Sequence, residues 1–141
     1  MAPEWSWWGS YTYCQYEDVD DGIDFERFPA HSAVLWTAYR IPGGPLKGLK
    51  SSLGLRYKSE YYTTFRGTYI SDEYKIDSAT LVDLAFEYPL PGLTALHGTT
   101  SKLEFGVKNL FDTEYVESNR HGTENFPGQP QTFWTRWTVT F

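Results

Sequence analysis

The decapeptide TFWTRWTVTF at residues 132–141 alternates with a period of two, and this alternation constrains the fold more than any other feature of the chain. Phe133, Trp137, Val139 and Phe141 fall on one side together with Thr135; Thr132, Arg136, Thr138 and Thr140 fall on the other, with Trp134 among them. Successive side chains of a strand point to opposite faces, so this stretch predicts a strand whose faces meet different surroundings. About nine to eleven residues is also the length a tilted strand needs to cross a bilayer's hydrocarbon.

Five further runs share the pattern. From Trp5 to Tyr16 the odd positions Trp5, Trp7, Tyr11 and Tyr13 are aromatic and the even positions Ser6, Ser10, Thr12 and Cys14 are small, with Trp8 as an exception. SAVLWTAYRI, at 32–41, is apolar on both faces and leaves its facing unassigned. From 49 to 61, Leu49, Leu53, Leu55, Tyr57 and Tyr61 oppose Lys50, Ser52, Arg56, Lys58 and Glu60; from 76 to 88, Ile76, Val82, Leu84, Phe86 and Tyr88 oppose Asp77, Asp83 and Glu87. Leu103, Phe105 and Val107 oppose Lys102, Glu104 and Lys108. No helical period of useful length competes, so the chain reads as all-β, an antiparallel meander of about six long strands.

The connections alternate in kind. PGGPLKG (42–48) and LPGLTALHGTT (90–100) are comparatively short and rich in Pro and Gly, whereas 17–31, 63–75 and 111–131 are longer, polar and dotted with aromatics. Short turns at one end and long loops at the other is the asymmetry of an outer-membrane barrel. Rings near strand ends, Trp5, Trp7, Tyr61, Tyr62, Tyr88 and Phe141, fit the aromatic girdles of its two interfaces. The charged faces would then line a wet lumen. Periodicity alone leaves a second reading open, a soluble β-sheet binding module that uses an aromatic face for carbohydrate or a protein partner.

Composition narrows the classes. Aromatics are 18 % of the 141 residues while hydrophobic residues total only 40 %, and mean hydropathy is -0.49. No stretch approaches a transmembrane helix, but alternating strands keep average hydropathy low in membrane barrels too. A formal net charge of -6 gives no basic patch, so nucleic acid is not an expected partner. The single cysteine, Cys14, excludes a disulfide framework and is expected as a small inward-facing residue. MAPEWSWW lacks a basic and an apolar signal region, so an exported protein with this start is expected to be incomplete.

Two blocks carry a resemblance. LEFGVKNLFDTEYVESN, followed by FPGQPQTFWTRWTVTF, resembles the carboxy-terminal end of TonB-dependent outer-membrane receptors of the siderophore type. The motif residues are Val107, Asn109, Leu110, Phe111, Asp112 and Tyr115, then Gly128, Pro130 and the final Phe141; Gln131 stands where the family commonly has Arg. The resemblance implies a transmembrane barrel of about 22 strands with a plugged lumen. Residues 1–141 would be its carboxy-terminal segment, without plug and without roughly sixteen upstream strands, and would not transport anything alone. It implies TonB-dependent uptake of a ferric siderophore, with haem, cobalamin and carbohydrate as rival ligands. The implied partners are outer-membrane lipid, the TonB complex through the missing amino-terminal part, and the barrel-assembly machinery, for which Trp137, Val139 and Phe141 form the terminal signal.

No catalytic, cofactor or metal constellation emerges. The acidic stretch with Glu17, Asp18, Asp20, Asp21, Asp24 and Glu26 departs from EF-hand spacing and is expected as a solvated loop. His31, His97 and His121 are scattered over three connections, with no grouping for nucleophilic catalysis. Loops on a rigid scaffold are where binding residues concentrate. Phe65, Arg66 and Tyr69, with Arg120 and His121, are therefore the candidates to meet an anionic, aromatic-tolerant iron chelate through charge and stacking.

Overall fold

The computed structural model describes residues 4–15, 28–64, 73–90, 99–120 and 124–141. Six long strands, β1 (Trp5–Tyr13), β2 (His31–Arg40), β3 (Lys50–Lys58), β6 (Ala79–Pro89), β7 (Thr100–Lys108) and β10 (Thr132–Thr140), form one sheet in the order β1-β2-β3-β6-β7-β10. Every neighbour pair is antiparallel. Two hairpins, β4 (Tyr61–Thr64) with β5 (Glu73–Ile76) and β8 (Val116–Arg120) with β9 (Glu124–Pro127), interrupt the long connections at one end. That end is called here the loop end, and the end bearing 41–49 and 90–99 the turn end. The sheet is thus a meander with hairpins added to its loops.

Register makes the two faces continuous. Trp7, Thr37, Leu53, Leu84, Val107 and Phe133 stand side by side across all six strands. Arg40, Lys50, Glu87, Glu104 and Arg136 form a parallel row on the opposite face. The same register resolves β2: Ala33, Leu35, Thr37 and Tyr39 share the apolar face, while Val34, Trp36 and Arg40 share the charged one. Trp8 sits opposite Trp36, which explains its departure from the aromatic parity of β1.

Among the described residues no second layer covers the apolar face. Trp5, Trp7, Leu35, Leu53, Phe105, Phe133 and Trp137 are 43 to 71 % exposed, and the substantial contacts between described strands are those of sheet neighbours. A soluble sandwich needs a second layer over such a face. None is present among the described residues. The strands run nine to eleven residues, the length of a tilted membrane strand. Rings gather near both ends of the apolar face: Trp5, Tyr39, Tyr88 and Trp137 toward the turn end, Tyr11, Tyr13, Tyr57 and Phe133 toward the loop end.

Three sequence boundaries shift. The run 49–61 breaks after Lys58: Ser59 still donates its N–H to the His31 carbonyl at 2.9 Å, one step beyond the β2–β3 pairing, while Tyr61 enters β4 and is buried instead of standing in an interface girdle. The run 76–88 breaks at Asp77 and Ser78, which puts Ile76 opposite Tyr61 in the hairpin. Ile76, Tyr61, Ala79 and Leu81 are the buried apolar residues around that hairpin base. The first run ends at Tyr13, and Tyr16 lies outside the described residues. Cys14, half-buried, continues the pairing by donating its N–H to Ala30.

The turn 41–49 is closed by Ile41 N–H to the Leu49 carbonyl and Gly48 N–H to the Ile41 carbonyl. Gly48 has φ 91° and a side chain there would meet Pro89 at 2.9 Å, so both backbone hand and space require glycine.

Candidate functional site

The charged face is organised as a ladder. Near the turn end Lys102 Nζ reaches Glu87 Oε2 at 2.9 Å and Glu104 at 3.7 Å, Arg40 reaches Glu87 at 3.5 Å, and Arg136 reaches Glu104 at 3.8 Å. Among the described residues buried Glu104 Oε2 has no hydrogen-bond donor, and Arg136 at 3.8 Å attracts it by charge. Most members are partly exposed, and each pair contributes at most about 1 kcal/mol.

Two tryptophans roof the same face. A side chain on Gly54 would meet the Trp36 ring at 2.7 Å, and one on Gly106 would meet the Trp134 ring at 2.5 Å. Each pair is a direct cross-strand neighbour, Trp36 with Gly54 and Trp134 with Gly106. The glycine lets the indole lie flat on the partner strand, which restores the apolar contact that glycine itself cannot make.

Toward the loop end the ladder becomes a junction. Asp83, buried, receives two N–H groups of Arg56 at 3.2 and 3.3 Å and the backbone N–H of Asn109 at 2.9 Å. Asn109 is 2 % exposed and has φ 51°, a left-handed conformation that asparagine tolerates better than other side-chain-bearing residues. Its amide group donates to the carbonyls of Thr113 (2.9 Å) and Gln129 (3.1 Å) and accepts from Thr113 N–H (2.9 Å). One side chain therefore joins the outgoing and returning limbs of the connection between β7 and β10.

The rest of the motif completes this crown. Leu110 N–H donates to the Val82 carbonyl at 2.7 Å, carrying the sheet one step beyond β7. Asp112, φ 50°, accepts Gln131 N–H at 2.7 Å. The Tyr115 ring lies over Gly128, where any side chain would overlap it, and Gly128 N–H donates to the Tyr115 carbonyl. Gln131, the departure from the family pattern, donates its side-chain amide to the Leu110 carbonyl at 2.7 Å, so it still ties the two limbs. Val107 is buried in the apolar row, and Phe111 is 72 % exposed just beyond it.

Burial, then the Glu117 carboxylate, raises the Tyr115 hydroxyl above its ordinary value of 10.0. Burial and Glu117 likewise raise Tyr61. A hydrogen bond to Glu60 raises Lys75. Between the two hairpins opens a cavity of about 560 Å³, lined by Asp77, Asp112, Thr113, Glu114, Asn125 and Pro130 among others. Its size suits a small ligand.

Of the loop candidates, Phe65, Arg66, Tyr69 and His121 lie outside the described residues, as do His97 and the acidic stretch 17–26. Arg120 closes β8 opposite Glu124 through its backbone. The motif residues Asn109, Leu110, Asp112 and Tyr115 are brought together, with Asp83 and Lys58, which sequence reasoning placed only as charges on one face. Their parity was the available signal, since both fall near the loop end of the charged rows. Trp137 and Val139 lie on the apolar face, and Trp137 Nε1 donates to Ser101 Oγ at 2.8 Å. Among the described residues no three His, Cys, Asp or Glu side chains come together to hold a metal.

A sheet with one lipid-suited face, one ionic face, a tight turn at one end and hairpin-bearing loops at the other is a segment of membrane β-barrel wall. The family described as TonB dependent receptor-like, beta-barrel, matches residues 2–110, and the chain belongs to it. Its members are transport receptors of the Gram-negative outer membrane, not enzymes, and that membrane is where this chain resides. No curated protein sequence matches.

Solved structures share the fold, three of them as follows. The FpvAI–pyocin S2 complex has 22 % identity and a TM-score of 0.78, with 99 % of this chain and 17 % of that one covered. The ferripyoverdine receptor of the Pseudomonas aeruginosa outer membrane, bound to ferripyoverdine, has 22 % identity and a TM-score of 0.75 over the same shares. The ferric-catecholate import receptor Fiu of E. coli K12 has 24 % identity and a TM-score of 0.69, with 99 % and 19 % covered. The chain thus spans less than a fifth of the length of the solved receptors it matches.

Proposed function

We propose that residues 1–141 form the carboxy-terminal part of the barrel of a TonB-dependent receptor that imports a ferric siderophore. The apolar face meets lipid; the ionic face lines the lumen around a plug supplied by the amino-terminal part of the receptor. The ligand enters at the loop end, between the crown and the plug, and energy delivered through TonB to that amino-terminal part releases it inward. The last strand, with Trp137, Val139 and Phe141, presents the signal for the barrel-assembly machinery.

One observation carries the ligand side of this reading: Asn109 and Asp83 weld a hairpin-bearing loop to the rim of the ionic face, so that a rigid platform stands where a ligand would arrive. Family membership and the fold shared with a ferripyoverdine receptor and a ferric-catecholate importer support the iron chelate. The test is radioiron uptake by cells carrying the full-length receptor, with and without TonB, over ferric hydroxamates, catecholates and mixed chelates. Accumulation of one class only with TonB is expected; uptake of haem or cobalamin instead would displace the siderophore reading.

A further inference from the structure

Among the described strands, β8 and β9 make their substantial contacts with each other. The seams beneath this hairpin, from Asn109 to Thr113 and Gln129 and from Gln131 to Asp112 and Leu110, fix the base of the connection and stop short of the hairpin strands. A side chain from the wall does reach them. Lys58, the last residue of β3, projects from the ionic face and donates to the Val116 carbonyl and, at 3.4 Å, to the Glu117 carbonyl. Its ammonium stands 5.3 Å from the centre of the Tyr115 ring. β3 lies two places from β7 in the sheet, so this contact draws the hairpin sideways over the lumen side of β6.

Arg56, the neighbour of Lys58 on the same face, is locked by two bonds to Asp83, whereas the Glu117 carboxylate acts on Lys58 by charge. Among the described residues the hydrogen bonds of Lys58 go to carbonyl dipoles and its ammonium stands over a ring, while the Glu117 carboxylate contributes charge without a hydrogen bond to it. A full negative charge binds an ammonium roughly twice as strongly as a neutral acceptor does. Below the contact is a cavity of about 160 Å³ bounded by Arg56, Lys58, Leu81, Tyr115 and Glu117. It has room for one acidic arm of a ligand, not for a whole chelate.

We propose that Lys58 is a charge-selective clasp: it holds the hairpin β8–β9 over the lumen mouth, and an anionic group of the ligand draws the ammonium away from Val116 and Glu117 and frees the hairpin. An uncharged chelate offers Lys58 only further neutral acceptors and leaves the clasp closed. The clasp rests on the receptor reading above, and it makes Lys58 a determinant of ligand charge.

The test uses the full-length receptor in outer-membrane vesicles with Cys14→Ser and a nitroxide on Asn125→Cys in β9. Lys58→Met is expected to raise the mobile fraction of the label by about fivefold or more, while Lys58→Arg leaves it near the parent value. A tris-hydroxamate gallium(III) chelate bearing a pendant carboxylate arm, anionic and diamagnetic, is expected to reproduce the Lys58→Met spectrum in the parent receptor. An uncharged tris-hydroxamate gallium(III) chelate is expected to leave it unchanged. A second label at Lys47→Cys in the turn should be insensitive throughout. An unchanged label 125 spectrum in Lys58→Met overturns the clasp, as does equal action or inaction of the two chelates, or a parallel change at label 47. Radioiron uptake on the same cells separates failure of the clasp from failure of the receptor reading.

Discussion

The wall and the crown are built from the same chain by opposite means. In the wall, stability comes from strand pairing and from faces whose solvents differ, and its large apolar side chains are exposed until lipid covers them. In the crown, a few buried polar side chains do the joining: Asn109 and Asp83 are more buried than any ring of the apolar rows. Position along the membrane normal explains the contrast. Hydrocarbon satisfies no backbone group, so the wall must pair every one within its own sheet. Between the wall strands and the hairpins the loop backbone has no ladder, so there its N–H and C=O groups are satisfied by side chains such as Asn109.

The comparison breaks first at Asn109. Asn109→Ala removes three hydrogen bonds and leaves a side-chain-bearing residue at φ 51°, so a loss of about 3–5 kcal/mol from the crown is expected, seen as faster proteolysis within residues 112–131 while heat resistance of the wall persists. Asn109→Gly should recover about 1 kcal/mol by relieving the backbone. Equal wall and crown losses would abolish the distinction.

Next comes the wall's two-sidedness. Leu55→Arg on the apolar face should cost about 2–4 kcal/mol in lipid, whereas Ser52→Arg on the ionic face should change stability by under about 0.5 kcal/mol. Equilibrium unfolding in bilayers compares them, and equal penalties would contradict the assigned faces. Gly106→Ala and Gly54→Ala follow, at about 1–3 kcal/mol each, because an indole must move; Gly43→Ala, with open space around it, serves as the reference. Refolding yield and thermal midpoint read the difference.

The fold was legible in the sequence because a strand repeats every two residues and a membrane wall makes its two faces chemically distinct. Leu53, Leu55 and Tyr57 against Arg56 and Lys58 disclose their faces without coordinates. β2 hid its facing because Val34 and Trp36 are apolar residues on the ionic side, where Trp36 covers Gly54. The hairpins hid for another reason: Tyr61 and Ile76 continue the parity of β3 and β6, and only the backbone break after Lys58 and at Asp77 and Ser78 separates them. The crown was visible as a motif, not as a mechanism. Nothing in the spacing of Asn109, Asp112 and Gln131 says that their side chains close one loop upon itself, since that depends on two left-handed backbone positions.

Two smaller effects sharpen the contrast. Glu87→Gln loosens the turn-end ladder by about 0.5–1 kcal/mol, an effect that should shrink in high salt, as befits partly exposed pairs. The smallest is a pH effect in the crown. Tyr115 has its proton held more tightly folded than unfolded, so the stability this contributes is complete below pH 10.0 and is lost as pH rises through the higher folded value. Limited proteolysis of residues 112–131 at rising alkaline pH should show the parent crown loosening there and Tyr115→Phe holding on.

The central claim, that one face of the six strands meets hydrocarbon and the other enclosed water, is tested most directly by placing a nitroxide at each position from 51 to 58 in the bilayer-embedded receptor. Collision rates with dissolved oxygen and with a water-soluble nickel chelate are then compared. The account predicts oxygen preference at 51, 53, 55 and 57 and nickel preference at 52, 54, 56 and 58. Loss of the two-residue period, or its reversal, would contradict it.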